Sequence, residues 1–140
     1  MADHRRFVQA ILRAGLLAGL LAACDSGEVS PIAFDEVRQA AADPAGFKAY
    51  FDGVKGKRIA WQGQVVEARR EFEDDYMQTG MLLVDMDAAE RPGADVAMKF
   101  PTARLEEFKP GQAVTFTAIL REYQFENGAL LLKLEMKELQ

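Results

Sequence analysis

The spacing of apolar residues changes once along the chain, near residue 56. Before that point it is helical. Phe34, Val37, Ala40 and Ala41 recur at three- and four-residue steps and predict a first short helix. Asp43-Pro44 reads as a helix cap followed by proline in the first turn. It opens a second short helix through Phe47, Tyr50 and Phe51, which Asp52-Gly53 ends. From Gly56 onward the period is two. Ile59, Trp61, Gly63 and Val65 share one face of a first strand. A polar connection follows over 69–76. A second strand over 81–87 has Leu82, Val84 and Met86 in phase. A turn at 89–93 leads to a third strand with Val96, Met98 and Phe100. Residues 101–108 form a short helical piece, and Lys109-Pro110-Gly111-Gln112 turns into a fourth strand carrying Val114, Phe116, Ala118 and Leu120. Asn127-Gly128 is a hairpin signal. It leads to a fifth strand with Leu130, Leu132, Leu134 and Met136.

Three strands, a short helix and a closing hairpin follow the order of the OB-fold, a small five-stranded barrel. The predicted fold class is therefore mainly β: a five-stranded OB-fold-like barrel, with a short helix between strands three and four and a helical segment in front. The domain is expected over 33–140, helical over 33–52 and barrel over 56–140. Two phrases, Gly56-Lys57-Arg58-Ile59-Ala60-Trp61-Gln62-Gly63-Gln64-Val65 and Pro110-Gly111-Gln112-Ala113-Val114-Thr115-Phe116-Thr117-Ala118-Ile119-Leu120, resemble the bacterial OB-fold lipoproteins grouped with the tRNA_anti-like domains. The resemblance covers roughly residues 34–140. It implies a barrel and supplies no catalytic residues.

Residues 1–23 read as a secretory signal. Arg5, Arg6 and Arg13 precede an apolar run, and 14–23 contains ten uncharged residues. A signal core needs about 7–15 residues, whereas a membrane-spanning helix needs about 20. Arg5-Arg6-Phe7 is similar to the start of a twin-arginine signal, but Val8-Gln9 departs from that pattern, so the arginines read as ordinary signal charge. Leu21-Ala22-Ala23-Cys24 resembles a bacterial lipobox. The resemblance implies diacylation of the Cys24 thiol, cleavage just before Cys24, and stable membrane anchoring by two or three acyl chains. Residues 24–32 are then the lipidated cysteine and a polar tether. The expected address is the cell envelope, facing the periplasm. Asp25 resembles an inner-membrane retention signal of enteric-type Gram-negative bacteria and favours that membrane.

Charge and composition then narrow the function. The chain of 140 residues carries a net charge of −5. The first 23 residues contribute +2, from three arginines against Asp3, which leaves −7 for 24–140. An acidic domain repels phosphate backbones. His4 is the only histidine, Cys24 the only cysteine, and Ser26 and Ser30 the only serines. The expected domain thus holds none of the three. No Ser-His-Asp or Cys-His nucleophile can be built there, nor a zinc site of His or Cys ligands, nor a disulfide. The reading is a non-enzyme without a cofactor.

OB-folds bind ligands on the face of strands two and three, between the first and last hairpin loops. The first loop here is 69–76, with a net charge of −2. Phe72 and Tyr76 in that loop, with Tyr123 and Phe125 before the last, are the candidate ligand-binding residues, an aromatic rim for a small ligand or a peptide. In strict alternation Tyr123 and Phe125 lie opposite the core row, and a bulge would turn them inward instead. Aromatics without a positive groove do not suit nucleic acid. Asp85, Asp87 and Glu90, or Asp74 and Asp75, offer the oxygens that Ca²⁺ prefers. Without EF-hand spacing they read as solvated acidic loops, and no metal is expected. Trp61 belongs to the core row. The functional expectation is a lipid-anchored module binding an envelope protein or small ligand, with a structural accessory of a membrane complex and a nucleic-acid-binding OB-fold as alternatives.

Anchoring should depend on one sulfur atom. Cys24→Ser is expected to abolish acyl labelling and release the chain from the membrane fraction. A variant that still takes up palmitate and stays with the membrane would rule the lipobox out.

Overall fold

The computed structural model describes residues 27–71, 79–87 and 93–140. Cys24, Phe72, Asp74, Asp75, Tyr76 and Glu90 lie outside them. Two helices, α1 (Phe34–Ala40) and α2 (Pro44–Val54), precede five strands: β1 (Arg58–Arg70), β2 (Thr79–Asp85), β3 (Val96–Pro101), β4 (Ala113–Glu126) and β5 (Ala129–Leu139). A short 3-10 helix, Thr102–Glu107, joins β3 to β4. The strands close in the order β1-β2-β3-β5-β4 and back to β1. Among the five described strands, β3 and β5 are the one parallel pair. This is the OB-fold-like barrel that the strand order predicts.

The inward row follows from alternation, with one break in phase per long strand. Ile59, Trp61, Val65, Leu82, Val84, Val96, Met98, Phe100, Val114, Phe116, Leu120 and Leu132 fill the interior. In β1, Val65 faces Val84 and Glu67 faces Leu83, so Val66 is an extra residue. In β4, Leu120 faces Leu134 and Glu122 faces Lys133, so Arg121 is extra. In β5, Met136 faces Ala118 and Glu138 faces Thr117, so Lys137 is extra. Each bulge bends its strand and adds twist, which closure around so few strands demands. Gly63 allows a close approach at one turn of the wall. A Cβ there would come within 2.5 Å of Val84 Cγ1 and 2.9 Å of the Asp85 carbonyl oxygen. At the β4–β5 hairpin, Asn127 (φ 50°) and Gly128 (φ 80°) take the left-handed conformations that the Asn-Gly pair predicts.

The end of the predicted tether is part of the domain. Val29 forms a parallel bridge with Arg58, and the Ser30 N–H donates to the Arg58 carbonyl at 2.8 Å. Trp61 is buried, and its indole Nε1–H donates to the Ile32 carbonyl at 2.7 Å. Phe34 at the start of α1 meets the Trp61 ring edge-on at 5.5 Å. From α2, Phe47 and Phe51 are both buried in the shared core.

The even row of β4 is buried at Val114, Phe116, Ala118 and Leu120, whereas Thr117 is only half-buried. Phe116→Ala is expected to destabilise the domain by about 3–5 kcal/mol, the usual cost of emptying a buried phenylalanine site. Thr117→Ala should cost under about 1 kcal/mol. Urea unfolding of the two variants checks the register, and equal losses would contradict it.

Candidate functional site

A cleft of about 700 Å³ opens where the helices meet one end of the barrel. Its first wall is α1 and the turn after it, with Phe34, Arg38, Gln39, Ala41, Ala42 and Pro44. The second is the β2–β3 connection, with Asp87, Gly93, Ala94 and Asp95. The third is the β4–β5 hairpin, with Phe125, Gly128, Ala129 and Leu130. Helical spacing explains the first wall. Phe34 and Val37 turn into the core, and Arg38, one position on, reaches out from the half-buried edge of α1. Its guanidinium bridges two elements. Nη1 donates to Asp87 Oδ2 at 2.9 Å, and Nη2 lies 3.1 Å from Asp35 Oδ1.

Beneath Arg38 sit three carboxylates, Asp85, Asp87 and Asp95, one oxygen of each within 4.8 Å of the others. Each is held by a single oxygen. Asp85 Oδ1 accepts the Asp87 N–H at 2.9 Å, and Asp95 Oδ2 accepts the Met86 N–H at 2.8 Å. Asp87 Oδ2 takes Arg38. The Asp87 side chain is only 8% exposed, and its Oδ1 is enclosed without a hydrogen-bond partner. Burial pushes the Asp95 carboxyl up to about 7, and the adjacent Asp87 and Asp85 push the same way. The Met86 N–H, which favours the charged form, opposes them. Among the described residues, these three aspartates are the group whose oxygens could hold a metal ion.

The expected aromatic rim has a different arrangement in its two described members. The extra residue at Arg121 reverses the alternation of β4, so Tyr123 and Phe125 continue the core row instead of opposing it. They are half-buried and pack on α2. Phe47 meets Tyr123 edge-on at 4.7 Å and Phe125 at 5.6 Å. Phe125 still lines the cleft, and Tyr123 does not. Arg70, where the described part of β1 approaches the first loop, pairs with Gly80 at one end of β1. Tyr123 and Phe125 lie on β4 beyond Ile119, which pairs with Arg58 at the other end. Sequence reasoning grouped Asp85 and Asp87 with Glu90 and missed Arg38 and Asp95. Asp95 immediately precedes a predicted strand, where an acidic residue is ordinary. Only the antiparallel return of β3 brings it to Asp87.

The raised Asp95 value has a definite sign. The folded state keeps a proton over the interval from about 4 to about 7, where the unfolded chain, near 3.8, has lost it. The stabilising contribution of that proton is complete below about pH 4 and is lost as pH rises through 7. Asp95→Asn stays neutral throughout. In chelator-treated buffer it should match the parent near pH 4 and exceed it at pH 8 by roughly 1–2 kcal/mol, since a half-exposed site is screened. Denaturant unfolding across pH measures this, and a variant less stable than the parent at pH 8 would contradict it.

No family model matches the chain, and no curated protein matches it. Among solved structures, the chain is similar to "OBody NL8 bound to hen egg-white lysozyme", with 15% identity over 60% of this chain and 92% of that one, at a TM-score of 0.42. It is also similar to "OBody AM2EP06 bound to hen egg-white lysozyme", with 15% identity over 62% of this chain and 81% of that one, at a TM-score of 0.45.

Proposed function

We propose that the chain is a lipid-anchored envelope protein whose barrel is a non-enzymatic binding module, and that the cleft beside α1 takes the ligand, a small envelope molecule or a segment of an envelope protein. The observation that carries the reading is the cleft. Its volume of about 700 Å³ lies within the roughly 300–1,000 Å³ of ligand pockets. Its lining suits the same role, because Phe125, Leu130 and the alanines of the α1–α2 turn give apolar contact, while Arg38 and Asp95 supply a few polar groups that could orient a ligand. The absence of serine, histidine and cysteine after Ser30 favours binding over chemistry. The lipobox at Cys24 supports the anchor, and its periplasmic side follows from the secretory signal. The acidic surface argues against nucleic acid.

Ala42 lines the cleft and is exposed, so a larger side chain there fills space without disturbing the core. Ala42→Trp is expected to remove partners captured by crosslinking in intact envelopes, and Ala49→Trp, exposed on α2, to retain them. Capture unchanged by Ala42→Trp would sink the assignment of the cleft. The purified chain should show no salt-sensitive binding to single-stranded DNA or RNA near physiological ionic strength, where nonspecific binders reach about 10⁻⁴–10⁻⁶ M.

A further inference from the structure

We infer that the turn Lys55-Gly56-Lys57-Arg58, between α2 and β1, is a docking surface for the anionic headgroups of the bilayer in which the chain is anchored. The inference rests on the lipid anchor proposed above. Its own evidence begins with where the tether ends. Val29 bridges Arg58, and the Ser30 N–H donates to the Arg58 carbonyl. The turn therefore lies beside the point at which the chain enters the domain. Val29 stands five residues after Cys24. Even fully extended, a stretch of that length spans at most about 18 Å. Acyl chains on Cys24 would hold this end of the domain close to the headgroups.

The turn is fixed by its main chain. Gly56 takes a left-handed conformation (φ 86°), and its N–H donates to the Leu120 carbonyl at 2.7 Å. The Leu120 N–H returns to the Lys57 carbonyl at 3.1 Å. β4 thus holds Lys55 and Lys57 in place on either side of Gly56, and both are exposed. Among the described residues neither is in an ion pair, whereas Lys48, Lys99 and Lys137 each are. The charge of this end also differs from the rest. Lys55, Lys57 and Arg58 stand against Asp25 and Glu28 of the tether, and Asp52 nearby is taken up by Lys48 at 2.8 Å. Three cations and two carboxylates leave +1, so the remainder of 24–140 carries −8 out of its total of −7. An anionic surface repels that remainder and attracts the lysines. The domain then settles with this turn toward the bilayer. Neither lysine lines the cleft, so docking and ligand binding use separate surfaces.

Acylated protein purified from membranes and reconstituted into nanodiscs tests this, with nitroxide-labelled headgroups reporting proximity through broadening of amide resonances. In discs of phosphatidylglycerol and phosphatidylcholine, the signals of Lys55, Gly56 and Lys57 should broaden far more than those of Asn127 and Gly128 at the β4–β5 hairpin. In phosphatidylcholine alone, or at high salt, that preference should fall roughly fivefold or more. This comparison needs no variant. Lys55→Glu combined with Lys57→Glu should abolish the preference in anionic discs while the remaining amide spectrum stays that of the folded parent. Lys133→Glu, exposed on β5, should retain it. Equal broadening of the turn in both lipids would overturn the docking surface, and so would a preference that survives the double variant. Protein that carries no acyl mass on Cys24 would instead remove the anchor, and the docking surface with it.

Discussion

Closing a sheet of five strands upon itself is the constraint on which the rest of this molecule depends. So few strands make a narrow barrel, and long strands can wrap it only by bending. β1, β4 and β5 each carry one extra residue, at Val66, Arg121 and Lys137. Gly63 lets β1 pass close to Val84 and the Asp85 carbonyl. The bulges set curvature, but they also decide which side chains face inward. Beyond Arg121 the odd-numbered residues of β4 take over the inner row, and this hands Tyr123 and Phe125 to α2.

The helices exist in the same sense because of the barrel. α1 has seven residues and α2 eleven, lengths at which an isolated helix is marginal in water. Their stability comes from Phe34 on Trp61 and from Phe47 and Phe51 against β4 aromatics. In lying there, α1 presents Arg38 to the β2–β3 connection. The cleft and the acidic cluster are thus products of how the helical segment seats on the barrel, and neither belongs to one element alone.

This explains what was legible in the chain before folding. Alternation at Val114, Phe116, Ala118 and Leu120, the Asn127-Gly128 pair and Pro44 in the first turn of α2 are local signals that the structure follows, although the Asp43 side chain makes no capping hydrogen bond. Bulges are different. Nothing at Arg121 distinguishes an extra residue from a paired one, because its presence depends on the partner strand and on closure. The phase of Tyr123 and Phe125 was therefore open until the register was known. The site was less legible still. Asp85 and Asp87 stand together in sequence, but Asp95 arrives from across a loop and Arg38 from 49 residues away. No spacing rule joins them.

The way the chain enters the domain has a mechanical consequence. Val29 runs parallel to β1 at Arg58, and Ile32 is tied to Trp61 through the indole N–H. A pull on the residues ahead of Gly27, directed along β1, loads these bonds together in shear instead of peeling them one by one. The force then passes into β1, which is hydrogen-bonded to β2 on one side and to β4 on the other, before it reaches α1. Tension applied ahead of Gly27 would therefore be borne first by β1 and Trp61, before the chain turns into α1 at Phe34.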